Sequence, residues 1–114
     1  MLRIAAATGF LAVALGAFGA HGLQGRLLEL GTSEVWKTAS FYHLCHAVVL
    51  LILALALPQA RWVFRLMTLG LLIFSGSLYV LSLSGIKVLG AITPIGGVLL
   101  LVAWALLFFS QLRQ

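Results

Sequence analysis

Read for apolar and polar positions, the chain divides into four long apolar stretches separated by short polar ones. Leu2 to Leu23 carries little but apolar and small residues after Arg3. A polar link, Gln24 to Ser33, follows and holds Arg26 and Glu29. From Ser33 the pattern is amphipathic for two turns, through Trp36, Lys37, Ser40 and His43. It is then almost continuously apolar up to Leu57, and Pro58 ends it. A third stretch runs from Val63 to Ser84, behind Arg61, Trp62 and Arg65. A fourth runs from Pro94 to Gln111. A membrane-crossing helix needs about 20 mostly apolar residues. The spans are therefore placed at 2–23, 33–58, 63–84 and 94–111. No extended chain can cross lipid with its backbone groups unpaired, so the crossings are helices. The predicted fold is an all-α antiparallel four-helix transmembrane bundle in a single domain.

Local signals refine the ends. Thr32 or Ser33 can cap the second helix, and Glu34 in its first turn suits the positive end of the helix dipole. Thr93-Pro94 reads as a cap followed by proline at the first helical position. Between them "IKVLGAI", apolar and flanked by glycines, is expected to lie in the interface or to bend back into the bundle. The N-terminal run could be mistaken for a signal peptide. It is long for one, and Phe18 spoils a small-x-small site before His21, so it is read as a true span.

Composition agrees. Of 114 residues, 63% are hydrophobic and 8% charged, too few polar groups to cover a water-soluble surface. Mean hydropathy is +1.20. The net charge of +5 comes from seven basic and two acidic residues scattered at helix ends, which suits headgroups and excludes a nucleic-acid footprint. With four spans both termini share one side. That side carries Arg3, Arg61, Arg65 and Arg113, against Arg26, Lys37 and Lys87 on the other, which favours cytoplasmic termini. The single cysteine, Cys45, excludes an internal disulfide.

Small residues suggest how the helices meet. In the first span Ala5, Gly9, Ala12, Gly16 and Gly19 alternate at spacings of four and three. Gly70, Ser77 and Ser84 recur every seventh residue in the third span, as do Gly96, Ala103 and Ser110 in the fourth. Lipid offers no hydrophobic drive between helices, so close approach of backbones through small residues replaces it. These positions are expected to be helix contacts, Gly16 among them.

Polar residues inside spans gather in one half of the membrane: His21, Tyr42, His43, His46, Ser75, Ser77, Tyr79 and Thr93. With alternating helix directions all of them fall toward the first and third loops. This half is the candidate ligand-binding region, with His21 expected to make a polar contact with Tyr42, His43 or His46. Three imidazoles could hold a metal, relay protons or hydrogen-bond a quinone-like headgroup. Alternatively they are interhelical hydrogen-bond partners and interface anchors. No carboxylate lies within a span to complete a metal set, and no second pair of histidines supports a bis-histidine haem. No Ser-His-Asp arrangement appears, and "PIGG" lacks the Lys-Ser/Thr of a phosphate loop. No enzyme pattern and no cofactor follow from the residues.

The motifs "ALGAFGAHGL" (14–23), "FYHLCHAVVLL" (41–51), "FSGSLYVLSLSG" (74–85) and "GAITPIGGVLLLVAWALL" (90–107) occur in this order. Together they resemble the small four-helix membrane family known as domain of unknown function 423, which includes animal transmembrane protein 256. The resemblance covers nearly the whole chain. It implies a four-helix integral protein of the bacterial inner or plasma membrane, and it implies no activity. His21, His43, His46, Ser75, Tyr79, Thr93 and Pro94 fall in those motifs. Three readings of function stand. The first is a bundle binding a ligand, lipid, quinone or metal in its polar half. The second is an assembly subunit acting through its seams on copies of itself or a larger complex. The third is a small transporter or proton conductor.

Overall fold

The computed structural model describes residues 1–111, and among them there is no strand. Four helices are long and apolar enough to cross a membrane. They are α1 (Leu2–Ala20), α3 (Ser33–Ala56), α4 (Arg61–Ser84) and α5 (Thr93–Gln111), with a short α2 (Gln24–Leu30) between the first two. At 1.5 Å per residue the 24-residue α3 and α4 are roughly 36 Å long, enough to cross the hydrocarbon core. The expected polar link after the first span is thus partly helical. Within "IKVLGAI", Lys87–Ala91 forms a 3-10 helix packed against α4 and α5.

Helix ends follow local chemistry. α1 stops at Ala20, three residues earlier than expected, in a turn where the Leu23 amide reaches back to the Phe18 carbonyl at 2.8 Å. Gly31 and Gly85 end α2 and α4 in the left-handed region, at φ of 68° and 73°. Thr32 occupies the position before α3 but does not cap it. Its hydroxyl donates instead to the Ser82 carbonyl of α4 at 2.7 Å.

The bundle is open and serial. α1 packs on α3, α3 on α4 and α4 on α5, each pair antiparallel. Among the described residues the α1 backbone approaches neither α4 nor α5, and the α3 and α5 backbones do not approach each other. The result is a shallow staggered layer, 51 × 26 × 16 Å. Its apolar centre joins Leu50 and Leu53 of α3 to Phe64, Met67 and Leu71 of α4 and to Leu100 and Ala103 of α5. A second cluster, Leu27, Trp36, Ala39 and Tyr79, closes the end near α2.

The small residues divide into those that pack and those that do not. Ala5 and Ala12 are buried, and Gly19 lies under the Trp36 ring, a line of every seventh residue along α1. Gly9 and Gly16 lie off that line. A Cβ at either would meet nothing within 4 Å, so the expectation that they form the seam is corrected. The tightest approach is between α4 and α5. A Cβ at Gly96 would lie 2.8 Å from the Gly70 carbonyl oxygen and from Phe74 Cα. One at Gly70 would lie 2.9 Å from the Leu100 amide nitrogen. Ser77 and Ala103 continue this contact. Ser84 does not: it is exposed, and its hydroxyl bonds the Val80 carbonyl while accepting from the Ile86 amide, finishing α4. Arg113, used in weighing orientation, lies outside the described residues.

Candidate functional site

The polar side chains of the spans form three separate sets rather than one cluster. The first stands between α1, α3 and α4. Trp36, His43 and Ala39 share one face of α3 at helical spacing. The His43 imidazole shares a 2.9 Å hydrogen bond through Nδ1 with the Tyr79 hydroxyl. Trp36 packs against the Tyr79 ring at 4.7 Å between centroids and donates its indole N–H to the Leu15 carbonyl of α1 at 3.1 Å. Ser75 donates to the Ala39 carbonyl at 3.0 Å. These residues tie α1, α3 and α4 together. His43, Ser75 and Tyr79 also line a cavity of about 200 Å³ with Thr8, Leu11, Leu15, Thr68 and Leu72. Both threonines there satisfy themselves on carbonyls four residues back, at 2.8 Å.

The second set joins α3 to α5. His46 lies 13 residues past Ser33, about 20 Å along a helix of roughly 36 Å, near its middle. Its Nδ1 faces the Tyr42 carbonyl at 2.9 Å, and Trp104 Nε1–H donates to its Nε2 at 3.2 Å. An indole N–H only donates and a carbonyl only accepts. Both bonds therefore need a neutral His46 with its proton on Nδ1. The Tyr42 ring is stacked near His46, with centroids 6.1 Å apart and planes at 14°, and packs on Phe74 at 4.8 Å. The Tyr42 hydroxyl has no hydrogen-bond partner among the described residues. These groups line a groove of about 460 Å³ with Pro94, Gly97 and Leu101, open toward the space a bilayer fills.

The third set is a pair. The hydroxyls of Ser77 and Thr93 are 2.6 Å apart and join α4 to α5 where α5 begins.

His21 joins none of these sets. It is exposed at the end of α1, and its ring makes no hydrogen bond among the described residues. The register explains why. Gly19 lies beside Trp36, whereas His43 is seven residues, about 10 Å, deeper along α3. Among the described residues no three of His, Cys, Asp and Glu are grouped to hold a metal. Cys45 is exposed on α3.

Sequence reasoning missed two of the partners. Trp36 and Trp104 look like interfacial or lipid-facing aromatics, yet each indole N–H is spent on a bond between helices. For Trp104 the available signal was its mid-helix position, away from the helix ends where tryptophan usually anchors. Trp36, in the first turn of α3, sits where an anchor is expected and gave none.

Comparison with known proteins agrees with this architecture. The family described as "Protein of unknown function (DUF423)" matches residues 15–97. A UPF0382 membrane protein of Staphylococcus aureus is 42% identical, over 96% of this chain and 93% of its own length. YwdK of Bacillus subtilis is 40% identical, over 96% and 94%. YgdD of Escherichia coli, a UPF0382 inner membrane protein, is 40% identical, over 99% and 89%. No solved structure matches the chain at a significant level. A family match over most of the chain, near-complete relatives named as membrane proteins and four helices fit to cross a bilayer lead to one conclusion: the chain belongs to the DUF423 family of integral membrane proteins.

Proposed function

We propose that this protein binds a lipid-soluble molecule with a polar ring or head in the groove between α3 and α5. One observation carries the reading: Tyr42, Phe74 and Trp104 line a groove of about 460 Å³, and the hydroxyl of Tyr42, a residue 40% exposed, has no hydrogen-bond partner among the described residues. Ligand sites commonly fall in the range of roughly 300–1,000 Å³, with mostly apolar walls and a few fixed polar groups. An unpaired hydroxyl facing hydrocarbon is costly. A carbonyl or hydroxyl on the bound molecule would accept or return the Tyr42 hydrogen bond, and the flat rings suit a planar head. His43, Ser75 and Tyr79 offer a smaller second pocket on the α1 side.

The test uses Gly97, where a Cβ would meet only the Phe74 ring at 3.8 Å. Gly97→Leu fills the groove without touching the helix contacts. Native mass spectrometry of wild-type protein extracted from its membrane is expected to show a bound small molecule that Gly97→Leu and Tyr42→Phe lose or weaken. Wild-type protein with no such adduct, or a variant that keeps it, overturns the reading.

The same proposal places the chain in the bacterial inner membrane, as the Escherichia coli relative's name states of that protein, with both termini in the cytoplasm. A second reading, an assembly subunit, draws on the open layer. Among the described residues no helix covers Gly9 or Gly16 of α1, and α1 and α5 leave their outer faces bare. Cross-linking in membranes, with a homo-oligomer or larger complex as the positive result, tests it. A transporter reading has less support, since no charged side chain lies mid-span among the described residues.

A further inference from the structure

We propose that the cavity under α2, between the end of α1 and the start of α3, is a binding site for one glycerophospholipid of the adjoining leaflet. This site is separate from the α3–α5 groove. Its volume is about 470 Å³. The lining changes character with depth. Gln24 and Ser33 stand at the outer end, and Lys37 is level with Gly19 and Ala20. Gly16 lies deepest on α1, facing the depth of Ser40 on α3, whose buried hydroxyl has no partner among the described residues. Gly16 lies four residues, about 6 Å, deeper than Ala20. A molecule filling this space meets charged and amide groups toward its outer end, and a wall of small residues with one unpartnered hydroxyl further in. A lipid phosphate against Lys37 and Gln24, an ester carbonyl accepting from Ser40 and an acyl chain over Gly16 match that lining.

The roof is held in place from elsewhere. Leu27 of α2 is buried beside Trp36, and Arg26 Nε donates to the Leu83 carbonyl of α4 at 3.3 Å. The cavity therefore does not depend on α2 closing onto α1. The floor is open because α1 spends Gly19, and not Gly16, on contact with Trp36. Lys37 stands 3.3 Å from Glu34, but both side chains are largely exposed, and a pair of that kind is weak and readily exchanged for phosphate. Basic groups near a membrane surface are drawn to anionic headgroups.

The experiment adds dioleoyl-phosphatidylglycerol to the full chain in detergent and counts retained lipids by native mass spectrometry. One lipid is expected to survive detergent exchange. Gly16→Leu should weaken its retention about tenfold or more, and Lys37→Gln severalfold. Gly9→Leu, equally open but elsewhere on α1, should leave retention unchanged, as should Gly97→Leu. Lys37 is exposed, so its variant keeps the test valid even if Gly16→Leu lowers the melting temperature. Wild-type retention in both Gly16→Leu and Lys37→Gln overturns the proposal, and so does equal loss in Gly9→Leu. Displacement of the adduct by inorganic phosphate would assign the site to a free anion instead. A change of oligomeric state in Gly16→Leu with no lipid bound to wild type would assign it to a second copy of the chain.

Discussion

Trp104 Nε1–H donates to His46 Nε2 at 3.2 Å, joining two helices, α5 and α3, whose backbones do not approach each other. With the Tyr42 carbonyl on its other nitrogen, His46 is held in one tautomer. Trp104→Phe keeps most of the ring but removes the donor, leaving His46 Nε2 without its partner. The expected loss is about 1–2 kcal/mol of stability in detergent. Trp62→Phe, at a site 70% exposed, should change stability by less than about 0.5 kcal/mol. Nitrogen-15 NMR of labelled histidine should find the proton of His46 on Nδ1. An Nε2–H signal would refute the geometry.

The α4–α5 contact is backbone against backbone, so it has no flexible side chain to yield. Gly96→Ala puts a methyl group against the Gly70 carbonyl and the Phe74 backbone and should cost about 1–3 kcal/mol. Gly9→Ala adds the same group to open space. It should be neutral or raise stability by up to about 1 kcal/mol through helix propensity. Thermal unfolding of the two variants in one detergent measures the difference, and equal effects would place both glycines on the same kind of surface.

Gly19 and Trp36 should behave as a coupled pair. A Cβ at Gly19 runs into the Trp36 ring, which is 3% exposed and fixed by its bond to the Leu15 carbonyl. Gly19→Ala alone is expected to destabilise. Combined with Trp36→Leu it should cost less than the two changes summed, by about 0.5–3 kcal/mol of coupling. Strict additivity would mean that the ring does not cover Gly19.

Four crossings put the two termini on one side of the membrane and α2 on the other. Reporter fusions after Gln114 and at Glu29 should therefore report opposite compartments, with the C-terminal one cytoplasmic. The same compartment at both sites would refute four spans. Opposite compartments with the C-terminus outside would refute the orientation.

Much of this protein was legible as composition and spacing. Four runs of about 20 apolar residues permit only helices in lipid, because backbone groups there must pair within the segment. Glycines after α2 and α4, Pro58 after α3 and Thr93-Pro94 at the start of α5 mark ends whose causes are local. The polar side chains within the spans were legible too, since they are few.

Their grouping was decided by the tertiary structure. Axial register is set by side-chain interlock between helices and leaves no periodic trace in either helix alone. Gly19 against Trp36 lies about 10 Å from the depth of His43, and His21, two residues further along, ends near the α2 turn. The rotation of each helix about its axis is equally invisible in a stripe of small residues. Ala5, Ala12 and Gly19 face α3, while Gly9 and Gly16, only four residues along from Ala5 and Ala12, face open space. Which helices are neighbours is set by packing between them as well. Short links made α1 and α3 adjacent, but the open layer, in which among the described residues only Trp104 and His46 bridge α5 to α3 by hydrogen bond, follows from the Gly70–Gly96 contact that orients α5 on α4.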